Sequence, residues 1–192
     1  MASIELLVPQ GHRRIPWKNG RGELIVIDCE GGDSWQGMGI AWHFGRTAII
    51  EVGPFSDYTG YERLQVVIKG AGLVLVAPDH EIDLRLPMHP RRYDGGTPIR
   101  TVLEMGPVEV VNLIASRARF DTDLRVGKEG VELFCSPGRH VVYAAVGAAK
   151  VKIEDRDYTL MQDHALRVRT GRRKRVTVQG GQIIIGSILD KT

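Results

Sequence analysis

Two cysteines in 192 residues, Cys29 and Cys135, stand far apart and in no CxxC arrangement. That spacing argues against a disulfide framework, and both are expected to be reduced, buried small hydrophobes. No apolar run approaches the roughly 18 residues that a membrane helix needs. The opening "MASIELLVPQ" is interrupted by Glu5 and closed by Pro9, so it does not read as a signal peptide. The expectation is a cytoplasmic protein with no membrane partner. A net charge of +3 is too small to imply a nucleic-acid partner. There is no G-x-S-x-G, no P-loop and no G-x-G-x-x-G after a strand, so no nucleophile or phosphate-cradling motif is visible. The six histidines (His12, His43, His80, His89, His140, His164) form no H-x-H or H-x3-H pair. Divalent metal sites need converging imidazoles, thiolates or carboxylates, so no metal and no cofactor is expected.

Helical periodicity is nearly missing as well. In its place short β-rich runs recur, split by Gly, Pro and Asp; glycine alone accounts for 23 residues. The runs fall at 23–28, 47–52, 64–69, 72–77, 82–86, 108–115, 140–146, 150–155, 165–169, 175–179 and 182–189. Strands of that length with turn signals between them predict an all-β sandwich or barrel. Alternation is clean in "IDLRL", where Ile82, Leu84 and Leu86 oppose Asp83 and Arg85, and in "ALRVRT". "QVVIKGAGLVLVA" reads as a hairpin turning at residues 69–72.

Residues from 66 and from 142 onward share one plan: strand, Gly turn, strand, acidic turn, strand. This weak repeat predicts two similar halves fused within the polar segment 116–130. One large sandwich is the alternative.

Three blocks then carry a family resemblance. "PWKNGRGEL" (16–24) resembles the W-[KR]-N-G-G-G signature of the HutD/Ves family, with Arg21 in place of a glycine. Residues 53–75 resemble that family's G-P-F-S segment and the leucine-rich stretch after it, and residues 91–117 resemble its block ending in Asn. The resemblance implies a bicupin: two small antiparallel β-barrels of jelly-roll type in one chain. The domains would be an N-terminal barrel over 1–118, carrying the ligand pocket, and a C-terminal barrel over 119–192, with strands from the first 50 residues available to complete it. It also implies small-metabolite binding linked to histidine utilisation, with a regulatory or sensing role rather than catalysis.

Laid on the cupin metal motif by its final glycine, Gly70, the chain has Arg63 at the glutamate position and Ser56 and Tyr58 at the histidine positions. A guanidinium aimed into a barrel mouth favours a carboxylate, which it holds through two parallel hydrogen bonds. The expected ligand site is therefore Trp17, Lys18, Asn19, Phe55, Ser56, Tyr58, Arg63 and Tyr93, taking a small carboxylate-bearing metabolite. Plainer roles stand beside these: Trp17 as a barrel plug, Phe55 as core, Ser56 as a turn residue, Arg63 paired with Glu62, and Asn112 in a buried network. The alternative function is an isomerase, lyase or hydrolase using Lys18, Arg63 and a carboxylate such as Asp94 or Glu104. The basic run 167–175 reads as a solvated hairpin rather than a nucleic-acid footprint. A homodimer is left open.

Overall fold

The computed structural model describes residues 2–16, 22–31 and 39–191. Among the described residues there are sixteen strands, which hold most of them, and no α-helix. In order they are β1 (Ser3–Leu7), β2 (Arg13–Pro16), β3 (Glu23–Gly31), β4 (Ile40–Ile49), β5 (Tyr61–Lys69), β6 (Leu73–Val76), β7 (Glu81–Leu84) and β8 (Arg91–Asp94). The remainder are β9 (Arg100–Leu103), β10 (Val108–Ser116), β11 (Phe120–Lys128), β12 (Leu133–Cys135), β13 (Gly138–Ile153), β14 (Arg156–Leu160), β15 (Ala165–Thr170) and β16 (Lys174–Asp190). A 3-10 turn covers Pro9–Gly11. Every strand pairing is antiparallel. The all-β class is what the alternating runs demand.

The chain divides into two compact units, one of residues 13–119 and the other of residues 1–12 with 120–192. The first dozen residues thus sit with the C-terminal unit, because β1 pairs with β15 from Ser3↔Arg169 to Leu7↔Ala165. The division between residues 119 and 120 falls inside the segment 116–130, expected as the join, and most of that segment is the strand β11. In β11 Phe120, Thr122 and Leu124 are buried while the residues between them are not. Asp121, Asp123 and Arg125 occupy the opposite face, which is what gives the segment its polar look.

In the unit of residues 13–119 a six-stranded sheet runs β2-β3-β4-β10-β5-β8 and a three-stranded sheet runs β7-β6-β9. Between them lies a core that includes Val67, Leu73, Leu75, Leu84, Tyr93, Val108 and Val110. The expected hairpin at 69–72 does not form: β5 and β6 belong to different sheets. Gly70 (φ 103°) and Gly72 (φ 93°) turn the chain out of the first sheet into the second. A Cβ at Gly72 would stand 2.4 Å from Cα of Arg85, so this crossing has no room for a side chain.

The other unit is one seven-stranded sheet of order β1-β15-β13-β16-β11, with β14 on β13 and β12 on β16. The runs at 140–146 and 150–155 merge into β13, and those at 175–179 and 182–189 into β16. Register shifts between Ala144 and Ala149 bend β13 without ending it. Apolar residues from both arms of the bend share one core, among them Val142, Ala144, Val151, Ile153, Val176 and Ile185. Among the described residues neither unit closes into a ring of paired strands.

The connectivity of the two units matches. β5 lies between β10 and β8, and the first part of β13 lies between β16 and β15. β6 lies between β7 and β9, and the second part of β13 lies between β14 and the first part of β16. What differs is continuity, since β5–β6 and β9–β10 are broken where β13 and β16 run on.

Candidate functional site

The register of β5 builds the site. Arg63 stands opposite Tyr93 of β8 and Ile114 of β10, and His43 of β4 stands opposite Ile114. Gln65 stands opposite Asn112. Residues directly opposite one another, and residues two apart on a strand, share a sheet face. Arg63, Gln65, Tyr93, Asn112 and His43 therefore converge on one face, and all five are buried.

The loop between β4 and β5 adds two rings. It is pinned by Phe55 N–H donating to Ile99 O and Tyr58 N–H donating to Gly95 O, both at 2.9 Å. The Arg63 guanidinium carbon then lies 4.6 Å from the ring centre of Phe55, 5.5 Å from that of Tyr58 and 5.4 Å from that of Tyr93. These separations lie within cation–π range. Arg63 Nη2 donates a long bond of 3.4 Å to Asn112 Oδ1, and its Nε has no partner among the described residues. No described carboxylate pairs with it, although Arg63 is only 7% exposed. Tyr93 donates its hydroxyl to Gln65 Oε1 at 2.7 Å.

Burial, and then the charge of Arg63, push the His43 pKa down to about 3, so the imidazole is neutral and adds no positive charge beside Arg63. Burial raises Tyr58 and Tyr93, with Arg63 opposing the shift in both and Tyr61 adding to it in Tyr58. Both phenols stay protonated at neutral pH. Tyr58 meets His43 edge-on at 6.2 Å.

The structure thus brings Phe55, Tyr58, Arg63 and Tyr93 together. Ser56 is exposed on the same loop. Trp17, Lys18 and Asn19 lie outside the described residues. Glu62, the suggested partner of Arg63, instead meets Arg92 across the β5–β8 pair. Asp94 pairs with Arg117 at 2.6 Å and Glu104 with Arg85 at 2.5 Å, so neither proposed proton carrier serves Arg63. No group of three or more His, Cys, Asp or Glu side chains gathers for a metal among the described residues. His43 and Gln65 escaped the sequence reading. Gln65 carries a local signal, an amide inside the apolar run "LQVVIK"; His43 carries none, because it lies ahead of the apolar run at 47–52, whereas its strand begins at Ile40.

The basic run also differs from expectation. β15 and β16 are joined by a turn but do not pair with each other, so they form no hairpin. Arg167 reaches Glu5, Lys174 reaches Glu154 and Arg175 reaches Glu132. Arg173 lies 3.7 Å over the Phe134 ring.

The HutD family model matches residues 10–185. The chain belongs to the HutD family. HutD from Pseudomonas fluorescens SBW25, determined in a formate condition, is 26% identical, with 99% of this chain and 100% of that one aligned at a TM-score of 0.81. A conserved protein of unknown function from Pseudomonas aeruginosa PAO1 is 21% identical, aligned over 97% of this chain and 99% of that one at a TM-score of 0.85. A curated Pseudomonas putida relative, an uncharacterised 21.2 kDa protein in the hutC 3' region, is 28% identical over 157 residues, 82% of each chain. Other solved neighbours of this HutD-family chain have cupin-like folds.

Proposed function

We propose that this protein is a bicupin whose N-terminal unit binds a small carboxylate metabolite, in a sensing or regulatory role connected with histidine utilisation. The matching connectivity of the two units supports the duplicated plan. The relative in the hutC 3' region supports the histidine connection. The observation that carries the ligand class is Arg63: a guanidinium 7% exposed, ringed by three aromatic side chains and paired with no carboxylate among the described residues. A buried charge calls for a counter-charge, and a carboxylate from solution meets that need with two parallel bonds. The enzyme alternative has less behind it, because Asp94 and Glu104 are engaged elsewhere. Cytoplasmic action fits this role; no helix among the described residues is long and apolar enough to cross a membrane.

The experiment is a calorimetric titration with small mono- and dicarboxylates on wild type, Arg63→Lys and Arg63→Ala. The wild type binds at least one of them, Arg63→Ala weakens it by about 2–5 kcal/mol, and Arg63→Lys recovers only part because an ammonium lacks the planar fork. Equal binding by Arg63→Ala removes the proposal.

A further inference from the structure

Beside Arg63 stands a second polar group that nothing among the described residues satisfies. Gln65 is 0% exposed, and its Nε2 has no partner among the described residues. Its Oε1 is taken by the Tyr93 hydroxyl at 2.7 Å. A phenol that donates to Oε1 fixes which end of the amide is left over, and it is the N–H end. Arg63 shows the same pattern, with Nη2 on Asn112 Oδ1 and Nε unpaired. On this face, then, the unpartnered atoms of both side chains are donors. A buried N–H without an acceptor is costly, so two such donors two residues apart on one strand face are unlike ordinary core packing.

From this we infer that Gln65 is a ligand-binding residue of the carboxylate site proposed above, and that Tyr93 positions it. Arg63 takes the carboxylate and Gln65 Nε2–H donates to a second, uncharged acceptor on the same molecule. The ligand class follows. It is a small acid carrying a carbonyl or similar acceptor beside its carboxylate, and not an α-amino acid. An α-ammonium would bring N–H against N–H at Gln65 and a positive charge beside Arg63, while the aromatic faces that would otherwise attract it are already occupied by the guanidinium. Rejection of the ammonium comes from an unmatched donor pair, which is a strong discriminator in a desolvated site.

The inference rests on the Arg63 site, and the test separates the two. The probes are pyruvate and alanine, which share a carboxylate and differ in presenting an acceptor or a donor at C2. Calorimetric titrations are run on wild type, Arg63→Ala, Gln65→Leu, Tyr93→Phe and the double variant Gln65→Leu/Tyr93→Phe. The double variant removes both partners of the Tyr93–Gln65 bond together and leaves no buried group orphaned by the change, so it guards against misfolding in either single variant. Wild type binds pyruvate at least tenfold more tightly than alanine. Gln65→Leu and the double variant lose about tenfold or more in pyruvate affinity and bring the two probes close to parity, because one hydrogen bond from a buried donor is gone. Tyr93→Phe narrows the preference too, because the amide is then free to turn its oxygen inward; a merely structural tyrosine would change stability and leave the preference alone. If both Gln65 variants keep the wild-type preference while Arg63→Ala abolishes binding, the Gln65 assignment fails and the Arg63 site stands. An unchanged preference in Tyr93→Phe removes its positioning role. If neither probe binds wild type, this inference falls and the carboxylate reading loses its small-acid form.

Discussion

Glu62 and Arg63 are neighbours in the chain that face opposite ways: Glu62 meets Arg92 at the surface, and Arg63 lies buried among the rings of Phe55, Tyr58 and Tyr93. The two-residue period of a strand makes an adjacent ion pair between them impossible without breaking the pleat. The acid nearest in sequence is thereby removed from the cation that needs one.

Replacing that cation with an apolar chain of similar length is expected to help the fold. Arg63→Met should raise the unfolding free energy by about 1 kcal/mol or leave it unchanged, since exchanging an uncompensated buried charge for a well-packed hydrophobe relieves desolvation. Urea unfolding of the two proteins checks it. A loss near 3 kcal/mol would mean that Arg63 already has an anion within the protein.

Gln65→Glu offers the opposite route. It places a carboxylate on the same strand face two residues from Arg63, where the two can pair. Thermal unfolding should shift upward at pH 7 and carboxylate binding should be lost, because the internal acid competes with the one in solution. A variant that keeps wild-type binding would show that residue 65 does not reach the guanidinium.

His43 gives a pH dependence. Its folded pKa of about 3 lies below the free value of 6.5, so the unfolded chain binds a proton that the folded one refuses. Stability is complete above pH 6.5 and is lost as pH falls from there toward 3, by about 3–5 kcal/mol from this residue. His140, also lowered by burial, acts in the same direction. Urea unfolding at pH 7.5 and pH 4.5 should therefore show a smaller acid loss in His43→Gln than in wild type.

Gly72→Ala tests the crossing between sheets. Its Cβ would lie 2.4 Å from Cα and 2.5 Å from the carbonyl oxygen of Arg85 at a φ of 93°. Both are backbone atoms, held beside the Leu73↔Leu84 pair where the β6–β7 ladder ends, so a loss of about 3 kcal/mol or more is expected in thermal or urea unfolding. Gly171→Ala, where nothing lies within 4 Å, is the control.

The two thiols should separate by reactivity. Cys135 is fully buried, with its pKa pushed up to about 11 mainly by burial, whereas Cys29 is half-buried rather than buried as the sequence suggested. Native alkylation at pH 8 followed by peptide mass analysis should find Cys29 modified well before Cys135.

The strand class was legible because alternation and β-branched runs are local signals. Strand ends, fusions and sheet membership were not. Nothing local says that the Gly147 region bends a continuing strand while Gly70 and Gly72 carry the chain into another sheet; tertiary packing makes that choice. For the site, Arg63 and the aromatic residues Phe55, Tyr58 and Tyr93 were named from motif position, yet Gln65 needed the register that sets it opposite Asn112. An asparagine inside an apolar strand points to a buried network, and Asn112 Oδ1 does meet Arg63.

The uninterrupted β13 and β16 have a dynamic consequence. Their pairing runs from Arg139↔Ile188 to Ile153↔Val176, so freeing any amide in its middle means parting a ladder that spans the whole unit. The corresponding ladder of the other unit is cut at Gly70 and again between β9 and β10, and its three-stranded sheet is made of strands of four residues each. That sheet can open by itself at lower cost. Backbone hydrogen exchange should be slowest along β13 and β16, leaving the unit that carries Arg63 as the one with room to breathe.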